Sequence, residues 1–191
     1  MATPERQSTF TRFPPLQHPR RVRAAALVVA VVIMAILVAS VVLFIEPATN
    51  TPAPSDAVIV LAGTNNAARI SKGMDLVRAG YAPRLFVSSP GYQDCPKSHP
   101  SVPITCFNPN PATTQGEARF AARLAEQHRW HRIIVVPGTQ QVTRARIRFD
   151  RCYRGTILMV PADPGGLVSW VASVIYEWGA LPKALILQRG C

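Results

Sequence analysis

The sequence lacks the residue patterns by which proteins hold metal ions. None of its four cysteines forms a C-x-x-C pair or a cysteine–histidine spacing of the kind that binds zinc. The acidic residues after position 45 are scattered singly, whereas magnesium and calcium need several converging oxygen ligands. We therefore expect no metal site, and the sequence identifies no cofactor.

Two familiar catalytic signatures are missing as well. The chain has no G-x-G-x-x-G stretch, which argues against a bound nicotinamide or flavin dinucleotide. Ser88 and Ser89 precede His99 in a long loop, but no G-x-S-x-G elbow surrounds either serine. A serine hydrolase built on these residues is therefore disfavoured.

Charge is absent from one long run. Residues 24–45 are 22 consecutive uncharged positions, "AAALVVAVVIMAILVASVVLFI". A helix rises ~1.5 Å per residue and needs about 20 apolar residues to cross the hydrocarbon core of a bilayer. The run is long enough to span a membrane, and it offers no polar face for a buried helix of a soluble protein.

The residues around this run indicate its orientation. Glu46 and Pro47 follow it where a cleaved signal peptide would end in a small-x-small site, so an uncleaved anchor is favoured. The first basic residue after it is Arg69, whereas five arginines precede it: Arg6, Arg12, Arg20, Arg21 and Arg23. The positive-inside rule then predicts a single-pass plasma-membrane protein with a cytoplasmic N-terminus and an extracytoplasmic C-terminal domain.

All four cysteines lie after the apolar run. An exported domain meets an oxidising compartment, in which disulfides persist. Four cysteines allow three connectivities. We favour Cys95 with Cys106, which closes one loop, and Cys152 with Cys191, which ties down the C-terminal end.

The net charge of +11 is spread over both sides of the apolar run. Residues 1–23 carry five arginines and one glutamate, or +4, which leaves +7 for the rest. A basic domain beside the membrane lipid bilayer favours contact with an anionic envelope lipid or a cell-wall intermediate. Nucleic acid would also suit the charge, but the exported position argues against it.

Composition divides the chain into four parts. Residues 1–23 are typical of a disordered basic tail, 24–45 form the transmembrane helix, and 46–55 form a Pro-rich spacer that lifts the domain off the bilayer. In 56–191, strands are predicted at 57–62, 84–89, 102–107, 132–137 and 156–161, and helices at 67–79, 114–127, 142–151 and 167–187. This alternation predicts an α/β, Rossmann-like three-layer domain with a mainly parallel sheet of about five strands.

The carboxyl ends of those strands predict where a ligand binds. In open parallel sheets, ligands bind beyond these ends, next to helix N-termini that favour anions. The segments at these ends are small and polar, and "TTQGEARF" (113–120) begins the helix after the third strand. The candidate ligand-binding residues are Gly63, Thr64, Asn65, Arg69, Ser88, Thr114, Gly138, Gln141 and Arg144.

Two interpretations of Glu117 stay open. It stands three residues after Thr114, so the two could form a capping box that does no more than begin a helix. As the only carboxylate among the candidate positions, it could instead act as a general base or orient a ligand. Glu117 is therefore the candidate catalytic residue.

Four separated patches resemble the YdcF-like family, which includes the SanA-like and ElyC envelope proteins. They are "SDAVIVLAG", "AGYAPRLFVSS", "TTQGEA" and "IIVVPGTQQVTRARIRF", between Asp56 and Tyr153. The resemblance implies a Rossmann-like domain, often on one N-terminal membrane anchor, with a role in cell-envelope biogenesis and barrier function. It also implies that pocket positions are occupied by Gly63, Arg69, Ser88, Thr114, Glu117 and Arg144.

The chain departs from the family pattern in the third and fourth patches, where Pro137 and Gly138 also replace a Thr-Ser turn. The family commonly has Asn-Ala where this chain has Glu117 and Ala118, and an acid where it has Gly116. A histidine of the fourth patch is replaced by Gln141, whose amide hydrogen-bonds but cannot shuttle a proton near neutral pH. If the family's chemistry uses that histidine, this chain binds its ligand without turning it over.

The sequence thus favours a membrane-anchored envelope protein whose exported domain binds an anionic, phosphorylated ligand. One alternative is a phosphoryl- or glycosyl-processing envelope enzyme that uses Glu117 as its base. The other is a non-catalytic scaffold that organises further envelope proteins.

Overall fold

The computed structural model describes residues 19–93, 95–97, 101–162 and 165–191. The chain divides into two compact units, Met1–Leu37 and Val38–Cys191. Two of the sequence predictions fall outside the described residues. These are residues 1–18 of the disordered tail predicted over 1–23, and the base His99 of the disfavoured serine–histidine pair. Residues 19–23 of that predicted tail are helical instead.

Helix α1, Pro19–Ser40, contains most of the apolar run and continues as a π-helical turn over Val41–Ile45. The stretch Arg20–Ile45 has 26 residues and a mean hydropathy of 3.3. It is long and apolar enough to cross a membrane. Large apolar side chains along α1 are exposed, with Leu27 at 67% and Val31 at 60%, as expected of a helix surrounded by lipid.

The second unit contains a five-stranded, all-parallel sheet. Its strands are β1 Ala57–Val60, β2 Leu85–Ser88, β3 Ile104–Phe107, β4 Arg132–Val136 and β5 Thr156–Met159. Their spatial order is β3-β2-β1-β4-β5. The predicted α/β class and parallel sheet are confirmed, and each strand is one or two residues shorter than its apolar run.

Helices cover both faces of this sheet. The described residues after β1 form α2 Asn66–Arg78, α3 Thr114–His128, α4 Val142–Cys152 and α5 Leu167–Pro182. One core cluster contains Ile70 and Leu76 of α2, and the other contains Ala121 of α3 and Phe149 of α4. Because it lies between these two cores, β1 is buried along its whole length and is entirely apolar.

The strand order creates a switch point between β1 and β4. The chain moves outward from β1 through β2 to β3, and then returns to place β4 on the other side of β1. Val60 pairs with Val136, so the two strands end at the same level. In doubly wound sheets the crevice that opens at such a point is the usual place for a ligand.

Both favoured disulfides are present. Cys95 is bonded to Cys106 with the two Cα atoms 5.9 Å apart, and Cys152 is bonded to Cys191 with 4.8 Å between them. The first joins the loop after β2 to β3, and the second ties the C-terminal segment to α4. Disulfides of this kind suit an oxidising compartment.

The spacer of residues 46–55 lies along the domain instead of extending away from it. Asn50 bonds Met159 of β5 twice, from its backbone N–H to the carbonyl oxygen (2.8 Å) and from the Met159 N–H to its Oδ1 (2.9 Å). Arg146 of α4 donates to Asn50 and to the carbonyl oxygen of Ala48. The spacer packs here because Asn50 satisfies backbone groups of an edge strand.

Candidate functional site

A cavity of about 530 Å³ lies at the switch point, beyond the carboxyl ends of β1 and β4. The segments that follow β1, β2, β3 and β4 all contribute to its wall, and α5 supplies a further side. Its polar lining residues are Thr64, Arg69, Thr113, Thr114, Gln115, Glu117, Gln140, Gln141, Arg144, Arg148, Ser169, Ser173, Tyr176, Glu177, Lys183 and Gln188. The polar turns predicted to converge at one edge of the sheet do so.

Arg69 of α2 occupies the switch point itself. Its Nη1 donates hydrogen bonds to the carbonyl oxygens of Leu61 (3.2 Å) and Ala62 (2.8 Å) and to Oε1 of Gln141 (2.9 Å). Arg69 is only 7% exposed, and burial lowers its pKa to about 10. The side chain is still a cation at neutral pH. Among the described residues, no acceptor forms a hydrogen bond with its Nη2 or Nε.

Two glycines make room for Arg69. A Cβ atom at Gly63 would lie 2.7 Å from Nη1 of Arg69, and one at Gly138 would lie 2.7 Å from Nη2. Gly63 also has a φ of +146°, which side chains of L residues rarely adopt. The glycines of these turns therefore allow the guanidinium to sit between β1 and β4.

The capping-box interpretation of "TTQGEARF" is wrong. The N-cap residue of α3 is Thr113, and no side chain makes a capping hydrogen bond there. Thr114 instead accepts hydrogen bonds at Oγ1 from Nε2 of Gln141 (2.9 Å) and Nη1 of Arg144 (2.8 Å). The Thr114 hydroxyl therefore bonds Gln141 and Arg144, which follow β4, instead of capping its own helix.

Glu117 reaches the end of β1 rather than the start of its own helix. Its Oε1 accepts a hydrogen bond from the N–H of Ala62 at 2.7 Å, and the residue is 2% exposed. Burial raises the pKa of Glu117, although Ser88, the Ala62 N–H, Arg144 and Arg69 act against this rise. The Ser88 hydroxyl is near enough to affect that pKa, but it makes no full hydrogen bond within the described chain.

A second buried carboxylate, Glu177 of α5, pairs with Arg144 of α4. Nε of Arg144 lies 2.7 Å from Oε2 and Nη2 lies 2.7 Å from Oε1, so the pair is bidentate. Burial acts to lower the pKa of Arg144, but the hydrogen bonds and charge of Glu177 outweigh it and raise that pKa. The guanidinium also lies over the ring of Tyr176, 5.8 Å from the ring centroid.

The lining of the cavity carries a net positive charge. Its cationic side chains are Arg69, Arg144, Arg148 and Lys183, and its carboxyl groups belong to Glu117 and Glu177. Glu177 balances one arginine, and the raised pKa of Glu117 reduces the fraction of its negative form. An anion entering the cavity is therefore attracted rather than repelled.

The structure brings most of the predicted site residues together. Those that line the cavity are Gly63, Thr64, Arg69, Thr114, Glu117, Gln141 and Arg144. Ser88 is fully buried near Glu117, and Gly138 lies against Arg69 behind the wall. Asn65 is the N-cap residue of α2, with a φ of +57°, and lies beside Gly165, in the turn before α5.

Sequence reasoning missed α5 as one wall of the cavity. This helix contributes Ser169, Ser173, Tyr176 and Glu177. A signal was present, because Glu177 is the only charged residue in α5 and a lone charge in an apolar helix needs an internal partner. The pattern of α5 alone gives no means of choosing Arg144 as that partner.

The packing explains two departures from the YdcF-like pattern. A Cβ atom at Gly116 would lie 2.0 Å from the carbonyl oxygen of Pro111, so no acidic side chain fits there. Gln141 accepts from Arg69 at Oε1 and donates to Thr114 from Nε2. A neutral amide fills both roles without a change of protonation.

Comparison with known proteins finds no relative. No family model matches the chain, and neither a curated protein nor a solved structure matches it. The geometry of the cavity is therefore the main basis for a functional assignment.

Proposed function

We propose that this chain is a single-pass plasma-membrane protein whose exported domain binds an anionic, phosphorylated envelope intermediate. The apolar stretch Arg20–Ile45 and the arginines before it support a cytoplasmic N-terminus, and the two disulfides support an exported domain. The resemblance to the YdcF-like family supports a role in envelope biogenesis or barrier function.

The positively charged cavity at the switch point carries the proposal. Its volume of about 530 Å³ is in the usual range for small-molecule sites. The guanidinium of Arg69 and the ammonium group of Lys183, an exposed residue, supply positive charge to the lining. A phosphate group suits this arrangement because it accepts several hydrogen bonds at once and carries the opposite charge.

Glu117 favours an enzyme as the second candidate. It is a buried carboxyl group with a raised pKa, it lines the cavity, and a backbone N–H holds one of its oxygens at 2.7 Å. Groups of this kind serve as general acids or bases near neutral pH. In this role Glu117 would activate the attacking group in phosphoryl or glycosyl transfer.

The binding proposal is tested by identifying what the full chain retains when it is extracted in mild detergent. Mass spectrometry of the purified protein is expected to show a phosphorylated compound, either a lipid or a soluble intermediate. Lys183→Gln should lower its occupancy, whereas Lys72→Gln on α2, outside the cavity, removes an equal charge and should not. Equal occupancy in both variants, or no phosphorylated compound in the wild type, contradicts the proposal. The remaining hypothesis is then the non-catalytic envelope scaffold.

The enzyme is distinguished by the same measurement on Glu117→Gln. If Glu117 is a base, the wild type should retain a mixture of the phosphorylated compound and its product, and the variant should retain only the intact compound. A pure binding protein should yield the same compound with and without the substitution.

A further inference from the structure

The helix α5 is polar on its inner side and apolar on its outer side. Its exposed residues include Leu167 at 76%, Val168 at 85%, Val171 at 43%, Ile175 at 68% and Trp178 at 37%. Apart from the adjacent Leu167 and Val168, steps of three or four residues separate them, so they form one stripe along the helix. We call this stripe the α5 outer face.

The polar residues of α5 lie on the other side. Ser169, Ser173 and Glu177 line the cavity, and Glu177 is 3% exposed. No charged residue is left on the outer face, because Glu177 is the only one in Leu167–Pro182. A helix that borders water has the opposite arrangement, with its charges outside and its apolar stripe inside.

Trp178 fixes the position of this face relative to the end of the apolar run. Its Nε1 donates a hydrogen bond to Oγ of Ser40 at 3.0 Å, and its ring packs edge-on against Phe44 with the centroids 5.5 Å apart. Ser40 lies five residues before Ile45, where the run ends. In a bilayer spanned by this run, Trp178 would lie near the membrane–water interface, where tryptophan is enriched.

We infer that the α5 outer face docks into the outer leaflet of the same bilayer that holds the N-terminal helix. The inference rests on the proposed membrane anchorage. Lipid of the outer leaflet is the partner that we expect to cover this face, because Trp178 of the face contacts Ser40 and Phe44 near the end of the spanning run. The exposed basic residue Arg189 follows the face and suits anionic head groups. The packed spacer holds the domain close enough for this contact.

Docking of this face places the cavity next to the lipid. Tyr176 and Glu177 line the cavity from the helix that carries the face, so only the thickness of α5 separates the polar site from the apolar stripe. An amphiphilic ligand could therefore keep its hydrocarbon part in the leaflet while its phosphate enters the cavity.

Photo-crosslinking of the full chain in vesicles of phosphatidylethanolamine and phosphatidylglycerol tests the inference. Benzoylphenylalanine is placed at position 175 on the α5 outer face, at position 33 in the spanning run, and at position 127 on the exposed side of α3. Lipid adducts, detected by mass spectrometry, are expected at positions 175 and 33 and only at background level at 127.

The three positions separate the two proposals. Lipid adducts at 33 without adducts at 175 would overturn docking and leave the membrane anchor intact. Adducts of position 175 to a second copy or to another protein would overturn it as well, since a protein would then cover the face. Absence of lipid adducts at both 33 and 175 would overturn the anchor and, with it, this inference.

Discussion

Two neighbouring helices, α4 and α5, distribute charge in opposite ways. Five of the 11 residues of α4 are charged, and its apolar Val142 and Phe149 are buried at 1% and 0% exposure. One of the 16 residues of α5 is charged, and that residue is buried while Val168 is 85% exposed. Other parts of the chain cover most of the charges of α4, and only Asp150 among them is exposed, whereas the outer side of α5 is apolar and exposed. The two helices are alike in one respect: each directs a charged side chain into the cavity, where Arg144 of α4 pairs with Glu177 of α5.

Breaking the contact between the two helices should have the largest effect. Glu177→Ala leaves the Arg144 guanidinium buried without its counter-ion, and loss of one partner of a buried pair costs about 3–5 kcal/mol. The measurement is the free energy of unfolding of the full chain in detergent micelles, from urea titrations followed by tryptophan fluorescence.

A double variant serves as the control for that experiment. Arg144→Met with Glu177→Leu removes both charges and fills similar volume, so it should recover most of the lost stability. A Glu177→Ala variant as stable as the wild type would show that water reaches Arg144 and that the two helices are not joined by a buried pair.

A matched pair of valines sharpens the contrast between the two helices. Val142 and Val168 both stand in the first turn of their helix, at 1% and 85% exposure. Val142→Ala removes buried methyl groups and should cost about 2 kcal/mol. Val168→Ala should change the free energy of unfolding by less than about 0.5 kcal/mol in the same micelles. Equal losses would mean that Val168 is packed against protein.

The sheet could be predicted from the sequence because its signals are local. The run from Ala57 to Ala62 is apolar at every position, as a strand buried on both faces must be, and Gly63 ends it. The other four strands are mostly apolar, with one polar residue each at Ser88, Thr105, Arg132 and Thr156. Alternation of such strands with helices then limits the topology to right-handed crossovers, and hence to a parallel sheet.

The sequence predicted the turns that line the cavity but not the hydrogen-bond partners within it, because those partners are far apart in the chain. The local pattern around Thr114 and Glu117 fits a capping box, yet Gln141, Arg144 and Ala62 take their side chains. No periodicity within α3 indicates these partners. The topology of a parallel sheet predicts that the turns at its strand ends lie close together. No such rule predicts where α5, which follows the last strand, packs.

The two buried carboxyl groups of the cavity, Glu177 of α5 and Glu117 of α3, differ in how their negative charge is compensated. Glu177 has the full counter-charge of Arg144, whereas Glu117 has a backbone N–H at 2.7 Å and, among the described residues, no arginine within hydrogen-bonding distance. Burial therefore raises the pKa of Glu117 above its ordinary 4.5. The folded protein binds this proton more tightly than the unfolded chain, so the wild type loses stability as the pH rises from about 4.5 through the folded-state pKa.

Glu117→Gln should abolish this part of the pH dependence. The glutamine cannot ionise, but its Oε1 can still accept the hydrogen bond from Ala62. The free energy of unfolding of the variant, minus that of the wild type, should therefore be smallest in acid and should increase with pH until the wild-type carboxyl is ionised. Glu126→Gln, at an exposed position of the same helix, is the control and should show no such trend. A difference that is constant, or that shrinks as the pH rises, would mean that Glu117 ionises freely because water reaches it or its charge is compensated.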